Sequence, residues 1–177
     1  DDAFYGYPSA TIFSSLMPLE VSHLFQSLYM EGGLNFYSHN GATPITNAMC
    51  SVKYMLSDSP MEENALYTKI GETKDNFLYR CNYYLPLGFM VDEAVIENWK
   101  PSRSKRLESL NGWVRELGTN GNYLSYTTAK TKVEPGRTVI TIPKEGYYYA
   151  TYAKCNKDRL TVSRTDGWSQ TYAKTTH

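Results

Sequence analysis

The chain has 177 residues, of which 41% are hydrophobic and 14% aromatic, and this composition excludes an intrinsically disordered protein. Its 18 Lys and Arg residues balance 18 Asp and Glu residues, so the basic excess of a nucleic-acid-binding protein is missing. No apolar run approaches the roughly 20 residues that span a bilayer. Because the sequence starts at Asp1 without an initiator methionine or signal peptide, we expect a soluble piece of a larger protein.

Two helices are predicted in the first 50 residues. Pro18 in a first turn, followed by apolar residues at helical spacing, predicts a helix over 18–30 that ends before Gly32. Thr43 as the N-cap and Pro44 at the first helical position predict a short helix through residue 49.

Four strands and a third helix follow. The strands are predicted at 51–56, 65–70, 77–82 and 87–91. The last of them is apolar without alternation, so we expect it to be buried on both faces. A helix is predicted after Ser102 or Ser104, and Gly118 ends it.

After Gly118 every signal is typical of strands. They are predicted at 139–142, 147–153, 159–165 and 168–173, with Asp166-Gly167 as a hairpin turn. The sequence therefore predicts an α+β fold: an α+β domain over 1–118, then an antiparallel, jelly-roll-like β-sandwich over 119–177. Only about five strands are visible in this part, whereas an antiparallel sandwich usually has seven or more, so we expect this one to be truncated.

Cysteine and motif patterns give no catalytic centre. Cys50, Cys81 and Cys155 are an odd, widely spaced set, which favours buried free thiols, with one disulfide as the alternative. The sequence contains no His-x-x-x-His, no Gly-x-Ser-x-Gly and no Gly-rich phosphate loop. We therefore expect no catalytic residue, no metal and no cofactor.

Acidic residues after the fourth strand are the remaining route to an enzyme. Glycoside hydrolysis requires two opposed carboxyl groups roughly 5 to 9.5 Å apart. Asp92, Glu93 and Glu97 could provide them, but the alternative is a solvated helix start with carboxylates at its N-terminus.

Aromatic rings beside amide and hydroxyl side chains are typical of sugar binding, because a ring can stack on a sugar face while its neighbours bond the hydroxyls. The alternative for each aromatic residue is packing, and Trp113 is expected in the core. The candidate glycan-binding residues are Tyr37, His39, Asn40, Thr43, Asn47, Asp92, Asn98 and Trp99.

Five sequence blocks resemble one known family. They are 2–7 (DAFYGY), 12–15 (IFSS), 37–48 (YSHNGATPITNA), 52–56 (VKYML) and 85–91 (LPLGFMV). In this order they resemble the soluble region of the YfhO family of bacterial membrane proteins. The resemblance implies a parent protein with many membrane helices and places this region on the outer face of the cytoplasmic membrane.

Members of that family look like GT-C-type glycosyltransferases, which move a sugar from a polyprenyl-phosphate carrier onto polymers such as lipoteichoic acid. The catalytic acid of that class lies in a loop between membrane helices that nothing here matches, so no catalytic residue is carried over. Beside this resemblance, the aromatic and amide content and the lack of catalytic motifs favour an accessory domain whose partners are a glycan or polyprenyl-linked sugar and the parent's own membrane helices. The balanced charge argues against nucleic acid as a partner. The alternatives are a structural module packed on the membrane part and a free-standing carbohydrate-active enzyme.

Overall fold

The computed structural model describes residues 6, 8–61, 63–135, 137–143, 146, 148–149, 159–163 and 169–173. In chain order the elements are β1 (Ile12–Phe13), α1 (Leu19–Ser27), β2 (Glu31–Gly32), β3 (Phe36–Ser38), α2 (Pro44–Met49), β4 (Tyr54–Ser57), β5 (Tyr67–Glu72), β6 (Phe77–Cys81), α3 (Glu93–Asn98), α4 (Arg106–Glu116), β7 (Lys130–Glu134), β8 (Arg137–Thr141), β9 (Arg159–Ser163) and β10 (Ser169–Ala173). Helices combined with antiparallel sheets confirm the predicted α+β class.

The chain divides into two compact units, Asp1–Tyr126 and Thr127–His177. Asn111 holds residues 119–126 in the first unit: its side chain donates to Leu124 O at 2.8 Å and accepts from Leu124 N at 2.9 Å. The predicted domain boundary at 118/119 stays a prediction.

The first helix ends earlier than predicted because of one left-handed residue. Tyr29 has φ +67°, and the N–H of Met30 donates to Phe25 O at 3.0 Å. This is the six-residue closure of a Schellman motif. The chain therefore leaves α1 after Ser27, and Gly32 lies in β2.

The second helix begins as predicted, at a capping box. Thr43 Oγ1 accepts from Thr46 N at 3.4 Å, and Thr46 Oγ1 accepts from Thr43 N at 2.7 Å. Pro44 occupies the first turn, where a missing N–H costs nothing.

Two antiparallel sheets lie in the first unit, in the orders β1–β3–β2 and β4–β6–β5. The predicted strands 51–56, 65–70 and 77–82 correspond to β4, β5 and β6 with shifts of up to three residues. In β6, Tyr79 is only 1% exposed, and its hydroxyl donates to Met61 O at 3.1 Å.

The predicted buried strand at 87–91 is wrong. Residues 85–91, here called the apolar loop, form no strand, and Leu87 and Met90 are 96% and 97% exposed. Pro86 lacks the N–H that a central strand would need. A helix follows, in agreement with the helix-start alternative for these acids: Asp92 caps α3 by accepting a hydrogen bond from Ala94 N at 2.9 Å.

The two hydrophobic clusters of the first unit lie mostly on and beside the helices. One buried cluster contains Phe25, Leu28, Met30 and Leu110, and a second contains Val95, Trp113 and Val114. Ile45, Met49, Trp99 and Tyr123 pack against both clusters. The loop and α2 that carry half of the candidate residues are therefore held by a common core.

The second unit contains two antiparallel two-stranded ladders, β7–β8 and β9–β10. Ser163 pairs with Ser169, so β9 and β10 pair as the predicted hairpin requires. The predicted turn at 166–167 lies outside the described residues, as do Trp168 and Cys155. Most of the predicted strand 147–153 also lies outside them. The sandwich stays a prediction.

Candidate functional site

Two hydrogen-bonded pairs of polar side chains lie at the end of β3, one on the side of β1 and one on the side of β2. His39 Nδ1 lies 3.0 Å from Thr11 Oγ1, and Asn40 Nδ2 donates to Glu31 Oε2 at 3.0 Å. Thr11, Glu31, His39 and Asn40, here called the polar cluster, combine a hydroxyl, a carboxylate, an imidazole and an amide. Asn40 is exposed and His39 half-buried, so a ligand can reach the cluster from solvent.

Strand pairing and one glycine position this cluster. Glu31 pairs with Ser38 across β2 and β3, and the N–H of Glu31 donates to Asn40 O at 3.0 Å. Gly41 then has φ +83°, and a Cβ there would lie 2.5 Å from Tyr29 O. Only glycine fits this turn, because a side chain would meet backbone.

Two predicted site residues are buried. Thr43 and Asn47 are 2% and 3% exposed, and Thr43 uses its hydroxyl in the helix cap. Asn47 Nδ2 donates weakly to Met55 Sδ at 3.5 Å, while Asn47 Oδ1 has no hydrogen-bond partner among the described residues. In this conformation neither side chain is available to an external sugar.

A small cavity lies beside Asn47. Its volume is about 20 Å³, which is room for about one water molecule and not for a sugar ring. The cavity is lined by Pro44, Asn47, Leu66, Tyr67, Cys81 and Tyr83. Burial raises the pKa of the Tyr67 phenol, although the nearby Asn47 amide acts in the opposite direction.

The two candidate aromatic residues pack inward. Tyr37 lies with its ring centroid 4.4 Å from that of Phe25. Trp99 lies 4.9 Å from Trp113, and its Nε1 donates to Ser109 O at 2.8 Å. Trp113 is 6% exposed, which confirms its predicted place in the core. Both candidate rings are thus half-buried and occupied by packing.

The remaining candidates belong to α3. Asp92 uses one carboxylate oxygen as the N-cap, and Asn98 is exposed at the last position of the helix. The cap agrees with the helix-start interpretation of these acids. Glu93 and Glu97 are exposed as well, and neither lines the small cavity.

The two cysteines that the structure describes are not activated as nucleophiles. Cys50 and Cys81 are free thiols, one half-buried and one buried. Burial raises the pKa of both thiols, so they are less ionised than exposed thiols at neutral pH. Within the part of the chain that the structure describes, no group of three or more His, Cys, Asp or Glu side chains could hold a metal ion.

The structure therefore groups the eight candidates by environment. His39 and Asn40 belong to the polar cluster, and Tyr37 and Trp99 pack on the core. Thr43 and Asn47 are buried at the N-cap and within α2, and Asp92 and Asn98 are the N-cap and last residue of α3. Sequence reasoning missed Thr11 and Glu31. Strand pairing brings Thr11 beside His39 and Glu31 beside Asn40, and no local sequence motif predicts this arrangement.

Comparison with known proteins gives the family. No described helix is long and apolar enough to cross a membrane. Searches of curated proteins and of solved structures found no match to the chain. Residues 1–170, nearly the whole sequence, match the family described as bacterial membrane protein YfhO. The chain belongs to the YfhO family of bacterial membrane proteins.

Proposed function

We propose that this chain is an extracytoplasmic accessory domain of a polytopic membrane glycosyltransferase and that it positions glycan without catalysing the transfer. The transfer would move a sugar from a polyprenyl-phosphate donor onto a cell-wall polymer of the lipoteichoic acid type. The glycosyltransferase activity and the outer-face location rest on the family resemblance. The glycan contact rests on the polar cluster.

The polar cluster carries this proposal because its side chains are held in place before any ligand arrives. Two hydrogen bonds of 3.0 Å, Thr11 to His39 and Asn40 to Glu31, fix their directions. Donors and acceptors ordered in this way lose little rotamer entropy on binding. Sugar hydroxyls both donate and accept hydrogen bonds, and a mixed carboxylate, imidazole and amide set matches them.

Charge restricts which part of the polymer is contacted. The chain has no net charge, and Glu31 adds a negative charge within the cluster. Repulsion between this carboxylate and polymer phosphates would oppose binding of a phosphate at this point. We therefore expect the cluster to contact neutral sugar rings, with weak affinity and little dependence on salt.

Isothermal titration calorimetry with neutral cell-wall oligosaccharides tests the proposal. Tryptophan fluorescence is the poorer readout, because Trp99 and Trp113 lie inside and not at the cluster. We expect millimolar binding by the wild-type chain and loss of at least about fivefold in affinity in Asn40→Ala, the equivalent of about one hydrogen bond.

A matched control separates the cluster from general surface effects. Asn122 is also exposed and also bonded to a charged side chain, since its Oδ1 accepts from Arg115 Nη1 at 3.2 Å. Asn122→Ala should bind like the wild type. Equal losses in Asn40→Ala and Asn122→Ala, or no binding by the wild type, would contradict the glycan proposal.

A structural module that packs on the membrane part is the second candidate. The observation in its favour is the number of large apolar side chains on the surface, including Leu16, Leu34 and Leu87 at 92%, 84% and 96% exposure. It predicts that the chain binds no oligosaccharide and that polar-cluster variants leave the parent's activity unchanged. Activity of the full-length parent carrying Asn40→Ala therefore separates the two candidates.

A further inference from the structure

The apolar loop, residues 85–91, exposes the most hydrophobic stretch of the sequence. Leu87 is 96% exposed and Met90 97%, which is close to the full side-chain surface of each residue. Gly88, which lies between these two residues, and Pro86, which precedes Leu87, are exposed too. The loop differs from the other exposed leucines in presenting two almost fully exposed apolar side chains three residues apart, and this concentration points to an apolar partner.

The loop is fixed to the body of the first unit at three points. The N–H of Leu85 donates to Ala48 O at 3.1 Å. Phe89, which is 37% exposed, lies with its ring centroid 6.4 Å from that of Trp113. Val91 packs on the cluster that contains Trp113. Leu87 and Met90 are therefore presented by an anchored loop, which reduces the entropy lost on binding.

The surface next to the start of the apolar loop carries residue types that are typical of a membrane interface. Tyr83 and Tyr84 are 66% and 43% exposed. Lys53 Nζ lies 5.4 Å from the ring centroids of both Tyr54 and Tyr84. Tyrosine and lysine at the edge of an apolar surface are typical of the headgroup level, where a ring is half in lipid and a cation meets lipid phosphate.

The acidic residues after the loop limit how deep it can go. Asp92 and Glu93 begin α3 and are exposed, and a carboxylate is costly in hydrocarbon. Because Asp92 lies two residues after Met90, only the tip of the loop can enter the apolar layer.

We propose that the apolar loop inserts Leu87 and Met90 into the surface of a lipid bilayer, with Lys53 and Tyr84 at the level of anionic headgroups. Lipid is favoured over a protein groove because the exposed Tyr83 and Tyr84, with Lys53 over the Tyr84 ring, supply the residue types of the headgroup level next to the loop. Membership in a family of membrane proteins places a bilayer near the chain. The inference does not rest on glycan binding, so a failed oligosaccharide titration leaves it standing.

Flotation of the 177-residue chain with vesicles tests the proposal. The vesicles contain phosphatidylcholine alone or an equal mixture with phosphatidylglycerol. We expect binding that is stronger on the anionic mixture, and a partition coefficient lower by about tenfold or more in Leu87→Asn/Met90→Asn, as loss of two buried apolar side chains implies. Lys53→Gln should weaken binding only to the anionic vesicles.

Matched controls are provided by other exposed leucines. Leu16→Asn and Leu34→Asn remove comparable apolar surface elsewhere, at residues 92% and 84% exposed, and should bind like the wild type. Circular dichroism checks that every variant is folded.

Three outcomes would overturn the proposal. The first is no vesicle binding by the folded wild-type chain, which would assign the loop to the parent's membrane helices. The second is an equal loss in the Leu16 and Leu34 controls. The third is concentration-dependent self-association that Leu87→Asn/Met90→Asn abolishes, which would make a second copy the partner.

Discussion

The indole nitrogen of Trp99 donates a hydrogen bond to the carbonyl oxygen of Ser109 at 2.8 Å. The bond joins the end of α3 to the middle of α4, and the Trp99 ring lies between these helices, 4.9 Å from Trp113. A Cβ on Gly112 would lie 3.3 Å from Trp99 Cδ1, so the ring and the helix backbone are in close contact. Trp99 thus stabilises the packing of α3 on α4.

Substitution of Trp99 should lower the free energy of unfolding. Trp99→Phe keeps most of the packing and loses the bond to Ser109, which we expect to cost about 1 kcal/mol. Trp99→Ala also removes the ring and should cost about 3 kcal/mol, the lower end of the range for large core aromatics because Trp99 is half-buried. Urea unfolding measures both, and an unfolding free energy unchanged in Trp99→Ala would contradict the packing role.

The capping box makes Thr43 a stabilising residue at the start of α2. Thr43→Ala removes the hydroxyl that accepts from Thr46 N and should cost about 1 to 2 kcal/mol in urea unfolding. Thr43→Ser keeps the cap and loses one buried methyl group, at a cost of about 0.8 kcal/mol. An equal loss in the free energy of unfolding in Thr43→Ser and Thr43→Ala would contradict the capping role.

Two glycines provide a matched pair of alanine substitutions. Gly41→Ala forces a side chain into a left-handed residue with its Cβ 2.5 Å from Tyr29 O, and we expect a loss of more than about 2 kcal/mol. Gly88 has no atom within 4 Å of an added Cβ, so Gly88→Ala should change stability by less than about 0.5 kcal/mol. Thermal unfolding of both variants checks the contrast, and equal shifts would refute it.

The buried thiols predict a loss of stability in alkali. Burial raises the pKa of Cys50 and Cys81 above the ordinary value of 9.0. Between 9.0 and the higher folded pKa, the unfolded thiols lose protons that the folded thiols keep, so the free energy of unfolding falls as pH rises. Urea unfolding from pH 8 to 10 should show this fall.

Thiol labelling isolates the two cysteines from other groups that titrate in alkali. In a Cys155→Ser background at pH 8, both should react slowly with a thiol reagent in the folded chain and rapidly in urea. A Cys81→Ala variant should also show a smaller fall in stability from pH 8 to 10 than its parent. Rapid labelling of folded Cys81 would contradict its burial.

Local signals in the sequence predicted local structure well. Thr43-Pro44 predicted the start of α2 correctly because an N-cap and a first-turn proline act within one helical turn. The apolar loop was predicted wrongly because hydrophobicity alone does not say which side chains reach a core: Val91 packs on the cluster that contains Trp113, whereas Leu87 and Met90 are almost fully exposed. The extent of α3 was not predicted because the helix buries only Val95 and so shows no periodic apolar face.

The candidate site was less predictable than the fold. Asn98-Trp99 has the local composition of a sugar platform, yet the indole N–H is used by Ser109, eleven residues from Asn98 and beyond any local pattern. Thr11 and Glu31 joined His39 and Asn40 only through antiparallel pairing of three short strands. Pairing of distant strands depends on the whole chain, and a single sequence does not encode it as a motif.

Backbone amide chemical shifts during titration with a neutral cell-wall oligosaccharide test the central claim most directly. The account predicts perturbations at Thr11, Glu31, His39 and Asn40 that saturate in the millimolar range and disappear in Asn40→Ala. Perturbations confined to Asp92–Asn98, or none at any described residue of a folded chain, would contradict the claim that the polar cluster contacts glycan.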